Sequence, residues 1–221
     1  GPWKRFKNTT GTNFNMQKTT GIYSVLSSAS AYELFITLIG GKRKRSILVE
    51  KYIRPKKGMK ILDCGCGPAK IVEFLPDVDY LGIDLSPAYI KKACAKFGDR
   101  GKFQVQPVDK IALSGRKFDL VIALGLIHHL NDEQAKTLLK TAYEVLVPGG
   151  RILSCDGVFV EKQPLLARLL LKCDRGKNVR WQTEYEKMAI DIFGHNNVVS
   201  HIHKDLTRIP YTHIIIECWK R

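Results

Sequence analysis

The 221-residue sequence predicts a doubly wound α/β domain, a seven-stranded and mostly parallel sheet that closes with an antiparallel C-terminal hairpin. Three observations predict it. From residue 60 onward, short apolar runs alternate with helix-spaced stretches, the pattern of strands joined by right-handed helical crossovers. The run 118–124 is almost wholly apolar, as a strand buried on both faces must be. The last two runs, 198–203 and 212–219, are joined by a link too short for a crossover helix, so they must pair antiparallel.

The elements follow in order. Apolar side chains at Ile22, Val25, Leu26, Ala29, Tyr32, Phe35, Ile36 and Ile39 are spaced by three and four, which suits an amphipathic helix ended by Gly40-Gly41. Residues 1–20 are polar and expected to be mobile. A short helix over 46–53 stops before Pro55. Residues 60–63 form the first strand, 69–75 a short helix and 80–84 the second strand. Ser86-Pro87 opens the next helix with a capping hydroxyl and a proline at the first helical position, and Gly98 ends it. Residues 103–105 are the third strand and 118–124 the fourth. Asn131-Asp132 caps a helix whose stripe is Ala135, Leu138, Leu139, Ala142 and Leu146. Pro148-Gly149-Gly150 turns into a fifth strand, 151–155. The domain is read as 46–221, with 158–195 as a substrate cap and 1–45 as an N-terminal lid or surface segment.

Composition sets the class. Hydrophobic residues make up 44% of the chain, which excludes wholesale disorder. No run of about 18 uncharged apolar residues exists to cross a membrane. The six cysteines lack paired CxxC spacing, so they read as free thiols of a cytoplasmic protein rather than a zinc site, and no metal is expected. The formal net charge of +15 is concentrated early: residues 1–60 carry 13 Lys and Arg against two Glu. The run Lys42-Arg43-Lys44-Arg45 reads either as attraction to an anionic partner or as a solvated basic face.

The first strand ends in Asp63-Cys64-Gly65-Cys66-Gly67. Glycines let the backbone turn sharply and approach a ligand. The dinucleotide fingerprint needs a small residue where this chain has Lys70. A carboxylate at the strand tip, Asp63, suits the ammonium group of adenosylmethionine, which NAD lacks. Asp84 ends the second strand, where a carboxylate can take both ribose hydroxyls.

With Gly82-Ile83-Asp84-Leu85-Ser86, Phe118-Asp119-Leu120-Val121, Leu126-Ile127-His128-His129-Leu130 and Leu146-Val147-Pro148-Gly149-Gly150, the glycine turn resembles the ordered motifs of class I S-adenosylmethionine-dependent methyltransferases over about residues 46–157. The branch most similar is that of sugar, natural-product and ubiquinone-biosynthesis O-methyltransferases. The resemblance implies a Rossmann-like fold and adenosylmethionine as cofactor. It implies a cofactor site of Asp63, Cys64, Gly65, Cys66, Gly67, Asp84, Leu85, Val108, Asp109 and Leu124, with adenine near Val108 and Asp109.

Methyl transfer asks the protein to hold a nucleophile in line with the methyl and, for a hydroxyl, to take its proton. Open α/β sheets bind ligands at the carboxyl ends of their strands. His128 and His129 follow the fourth strand and Asp156 follows the fifth, so these three are the catalytic candidates. The expected substrate is a small-molecule hydroxyl, sugar, lipid-linked or polyketide-like, with an anionic group among the options. An RNA acceptor and a peripheral lipid acceptor are the alternatives, and both lean on the basic N-terminal segment.

Overall fold

The computed structural model describes residues 41–174 and 176–221. The helix expected over 22–39 and the polar stretch before it lie outside the described residues. The strands are β1 (Lys60–Cys64), β2 (Asp79–Asp84), β3 (Lys102–Val105), β4 (Phe118–Leu124), β5 (Leu146–Phe159), β6 (Arg180–Trp181), β7 (Val198–His203) and β8 (His213–Trp219). The helices are α1 (Gly41–Ile47), α2 (Pro87–Phe97), α3 (Asp132–Val145), α4 (Leu165–Lys172) and α5 (Gln182–Phe193).

The sheet order is β3-β2-β1-β4-β5-β8-β7, with β6 added alongside β5. Pairing is parallel from β3 through β5, and β8 is antiparallel to both β5 and β7. The sheet thus has eight strands where seven were expected. β5 is the reason: its 14 residues run past the end of β4, and Val158 and Phe159 there pair with Arg180 and Trp181. The Pro148-Gly149-Gly150 segment falls at a shift of register between β4 and β5, between Phe118 and Leu120. An irregularity there absorbs the extra residues without ending the strand.

Successive strand residues point to opposite faces, and both faces are covered. Leu62, Cys64, Val121 and Ala123 join one buried cluster with Leu138, Tyr185 and Phe193 from α3 and α5. Ile61, Leu120, Ile122 and Cys155 join a second with Tyr52, Ile53, Ala93 and Phe97. β4 is therefore apolar apart from Asp119 near its start, whose Oδ2 accepts the Lys60 N–H at 2.8 Å. The helix starts follow the local chemistry. Ser86 Oγ accepts from the Tyr89 N–H at 3.3 Å with Pro87 at the first helical position. Asn131 and Gln134 cap each other's backbone N–H at 2.9 and 3.1 Å.

Three local expectations change. Residues 70–74 form a 3₁₀ turn rather than an α-helix. Gly41 lies in a helix rather than closing one, and α1 continues as a π-helical turn, Leu48–Ile53, that ends at left-handed Arg54. The domain boundary expected after residue 45 falls inside α1, which belongs to the same compact unit as the sheet, Ile39–Arg221. The reason is packing. Arg43 donates to the Asp205 carbonyl at 2.8 Å, and the Arg45 guanidinium lies 5.9 Å above the Phe74 ring. Half of the basic run is thereby tied to the domain surface instead of standing free.

Candidate active site

Strand order reverses between β1 and β4, and the crevice at such a switch point is where open α/β sheets take ligands. The glycine turn leaves β1 here. Gly65 (φ 68°) and Gly67 (φ 53°) occupy the left-handed region, which side chains disfavour. A methyl group on Gly65 would meet Leu126 Cδ1 at 2.8 Å, so the turn nests against the loop after β4. The same group on Gly67 would meet nothing, so that side of the turn is open.

Asp84 is fixed from both ends: Oδ2 accepts the Gly67 N–H at 2.9 Å and Oδ1 the Ser86 N–H at 2.8 Å. Each oxygen keeps a lone pair for a ligand hydroxyl. Asp63 is buried and accepts the Tyr80 hydroxyl at 2.5 Å. Burial pushes its carboxyl up to about 7, against a partial offset from the Tyr80 hydrogen bond. Tyr80 is a partner that the sequence did not single out, being one apolar-run residue among several. Of the other expected cofactor residues, Cys64 packs into the core, so only its backbone faces the turn region. Leu85 is exposed, Cys66, Val108 and Leu124 are half-buried, and Asp109 is exposed on a 3₁₀ turn.

The second half of the rim holds the catalytic candidates. The 3₁₀ turn Ile127–His129 follows β4 and places His128 inward and His129 outward. His128 Nδ1 lies 2.7 Å from Asp156 Oδ1, and the same oxygen accepts the His128 backbone N–H at 3.2 Å. Asp156 is fully buried, and its Oδ2 has no hydrogen-bond partner among the described residues. Burial alone would depress the His128 pKa, but the hydrogen bond and charge of Asp156, with the charge of Asp174, outweigh it and raise it above 6.5. His129 lies beside His128, ring centroids 4.2 Å apart, and is exposed.

Two further residues converge on His128. Asp174, after α4, brings Oδ1 to 3.5 Å from His128 Nε2. Its Oδ2 accepts the Tyr211 hydroxyl at 2.6 Å, and its Oδ1 the Gly176 N–H at 2.7 Å. Gly176 lies flush on the imidazole, with no room for a side chain. Asp174 and Arg180 both lie in the segment expected to form the substrate cap, 158–195. Arg180 instead is buried. It donates to the carbonyls of Ile127, Leu130 and Asn178 and to Asp132, tying the cap to the turn that carries His128. Among the described residues no group of three or more His, Cys, Asp or Glu is placed to hold a metal ion.

Residues 61–150 match the family described as "Methyltransferase domain". The chain is 32% identical over 117 residues to a ubiquinone biosynthesis O-methyltransferase of Azorhizobium caulinodans, covering 48% of this chain and 46% of the relative. It is 30% identical over 135 residues to a probable tRNA methyltransferase 9B of Bos taurus, covering 60% of this chain and 28% of the relative. The chain thus spans less than half the length of these curated relatives. Human N-acetylserotonin methyltransferase, solved in complex with SAM, shares the fold. Its TM-score is 0.63 at 20% identity, over 86% of this chain and 54% of that one. The matched segment holds both halves of the rim up to β5. Asp156, Asp174 and Tyr211 lie beyond it, in the part that sequence motifs describe least.

Proposed function

We propose that this chain is an S-adenosylmethionine-dependent methyltransferase that methylates a hydroxyl of a small-molecule acceptor. The observation that carries the reading is the His128–Asp156 pair, 2.7 Å apart, on the loop that packs against the glycine turn.

The residues fit the cofactor. The open side of Gly67 admits close backbone approach, the pinned Asp84 carboxylate suits the ribose hydroxyls, and exposed Leu85 and Val105 offer an apolar flank for a base. When bound, adenosylmethionine supplies an electrophilic sulfonium methyl. The chain's own part is orientation and proton removal. Asp156 holds the His128 proton on Nδ1, which leaves Nε2 to accept the proton of the acceptor hydroxyl. Carboxylates on both sides of His128 disfavour a carboxylate at the reacting position and so favour a hydroxyl. His128 takes the role because it is buried and its Nδ1 is held by Asp156 at 2.7 Å, whereas His129 is exposed.

The test is mass spectrometry of extracts, fractionated into RNA and small molecules, after incubation with adenosylmethionine. Label in a small-molecule ether supports the reading, and label only in RNA replaces it with the alternative that the basic segment and the probable tRNA methyltransferase relative suggest. Two binding predictions accompany it. Asp84→Ala is expected to weaken adenosylhomocysteine binding by about 1–3 kcal/mol in calorimetry. Adenosylmethionine affinity is expected to rise with pH through about 7, as the Asp63 carboxyl ionises opposite the ligand ammonium. It falls again once that amine loses its proton, near ~8 for an α-amino group. Asp63→Asn should flatten the acid limb alone, and an unaltered limb in that variant would remove Asp63 from the ammonium contact.

A further inference from the structure

We propose that Asp174, anchored by Tyr211, is a second positioning carboxylate for His128, steadying the imidazolium that forms when the acceptor hydroxyl gives up its proton. The inference rests on the reading of His128 as the base.

The geometry has three parts. Asp174 is held at both oxygens, by the Tyr211 hydroxyl and the Gly176 N–H, so it is fixed before any ligand arrives. Its Oδ1 stands 3.5 Å from His128 Nε2, too long for a direct hydrogen bond of ordinary strength. The carboxylate therefore sits beside the acceptor edge of the ring and leaves Nε2 free to receive a proton. The ring cannot turn away to meet it. Asp156 holds Nδ1, Gly176 lies against the ring, and the Asn178 N–H binds the His128 carbonyl at 3.0 Å.

The chemistry follows from that placement. The hydroxyl O–H bond breaks, its proton forms a bond to Nε2, and its electron pair stays on oxygen for the new O–C bond, while the methyl C–S bond breaks and its pair leaves with sulfur as a neutral thioether. A unit positive charge appears on the ring between two carboxylates, 2.7 and 3.5 Å away. An opposite charge at such a distance favours the charged form. A single orienting carboxylate, as in an Asp–His pair, acts from the far edge only. Here the second one acts from the edge where the proton arrives. The other groups that face His128 are Lys44 from α1, whose charge opposes protonation, His129 on its own turn and His213 on β8. Buried His213 is held well below its usual range, first by burial and then by Lys44, so it stays neutral and does not share the charge.

The test is the titration of the His128 ring by nuclear magnetic resonance in the full chain saturated with adenosylhomocysteine. Asp174→Asn is expected to lower the His128 pKa by about one unit, the low end for loss of a neighbouring opposite charge. Asp174→Glu, which keeps the charge, should restore most of it. If Asp174→Asn does not fold, Asp174→Ser is measured in its place. An unchanged His128 titration in a folded, uncharged variant overturns the proposal. The titration needs no acceptor, so absence of a methylated product would count against the proposed function alone. With an acceptor in hand, the acid limb of kcat/KM should move down by the same amount in Asp174→Asn. A uniform drop in rate at every pH would mark a merely structural role and overturn the proposal.

Discussion

His128→Ala is expected to lower turnover by about 10²–10⁴-fold, the usual range for loss of a general base. Adenosylhomocysteine binding should be unchanged, because His128 makes no contact with the glycine turn or Asp84. The sign of the pH profile is fixed by the same contacts. The base must be neutral to accept a proton, and its pKa is raised above 6.5 because the Asp156 hydrogen bond and charge, with the Asp174 charge, outweigh burial. The wild-type rate should therefore fall as pH drops through a value above 6.5. Asp156→Asn should move that value down and lower turnover. His129→Ala, at an exposed position, should change turnover far less. Near-wild-type turnover in the His128→Ala, His129→Ala double variant would leave alignment, without proton removal, as the chain's contribution.

Arg180→Met is expected to destabilise the fold by about 3–5 kcal/mol in denaturant unfolding, the scale for several hydrogen bonds lost from a charged donor. The ion pair itself is a small part of this. Asp132 is 77% exposed, and a pair with one wet partner contributes at most about 1 kcal/mol. The larger loss comes from the carbonyls of Ile127, Leu130 and Asn178, left without their donor. Asp132→Ala separates the two contributions, since it should cost less than about 1 kcal/mol. Ile127 and Leu130 bracket the turn that carries His128, so Arg180→Met should also lower turnover in the fraction that remains folded. A variant as stable as wild type would show that water satisfies those carbonyls.

The strands and their order of use were legible because the parallel core writes itself in apolar runs. Residues 118–124 read as a central strand, and β4 is that strand, buried on both faces. Helix starts were legible from single residues, Ser86 and Asn131, whose side chains do the capping in place. The length of β5 was not. Its C-terminal end pairs with β6 and its residues 151–157 with β8, and pairing across such distances leaves no mark on the composition of β5 itself. The pairing of His128 with Asp156 could be foreseen from adjacent strand ends. Asp174 and Tyr211 could not, because they come from irregular segments whose positions depend on the packing of α4 and β8. The basic run showed its charge but not its anchoring. Arg43 and Arg45 look solvated in sequence, yet their partners are a carbonyl at Asp205 and the ring of Phe74.

The two halves of the rim differ in how far apart along the chain their parts lie. The Asp84–Gly67 and Tyr80–Asp63 contacts each span 17 residues, within one strand–turn–strand unit. His128–Asp156 spans 28 residues and Tyr211–Asp174 spans 37, and Asp156 sits on a strand whose second neighbour is β8. Loop closure grows costlier with separation, so local contacts form first and distant ones follow. The glycine-turn half of the rim therefore closes the shorter loops. The half that surrounds His128 draws on Asp156 of β5, which pairs with β8, and on Asp174 and Tyr211 from irregular segments. In hydrogen exchange, amides of β1 and β2 are expected to outlast those around Asp174 and Tyr211.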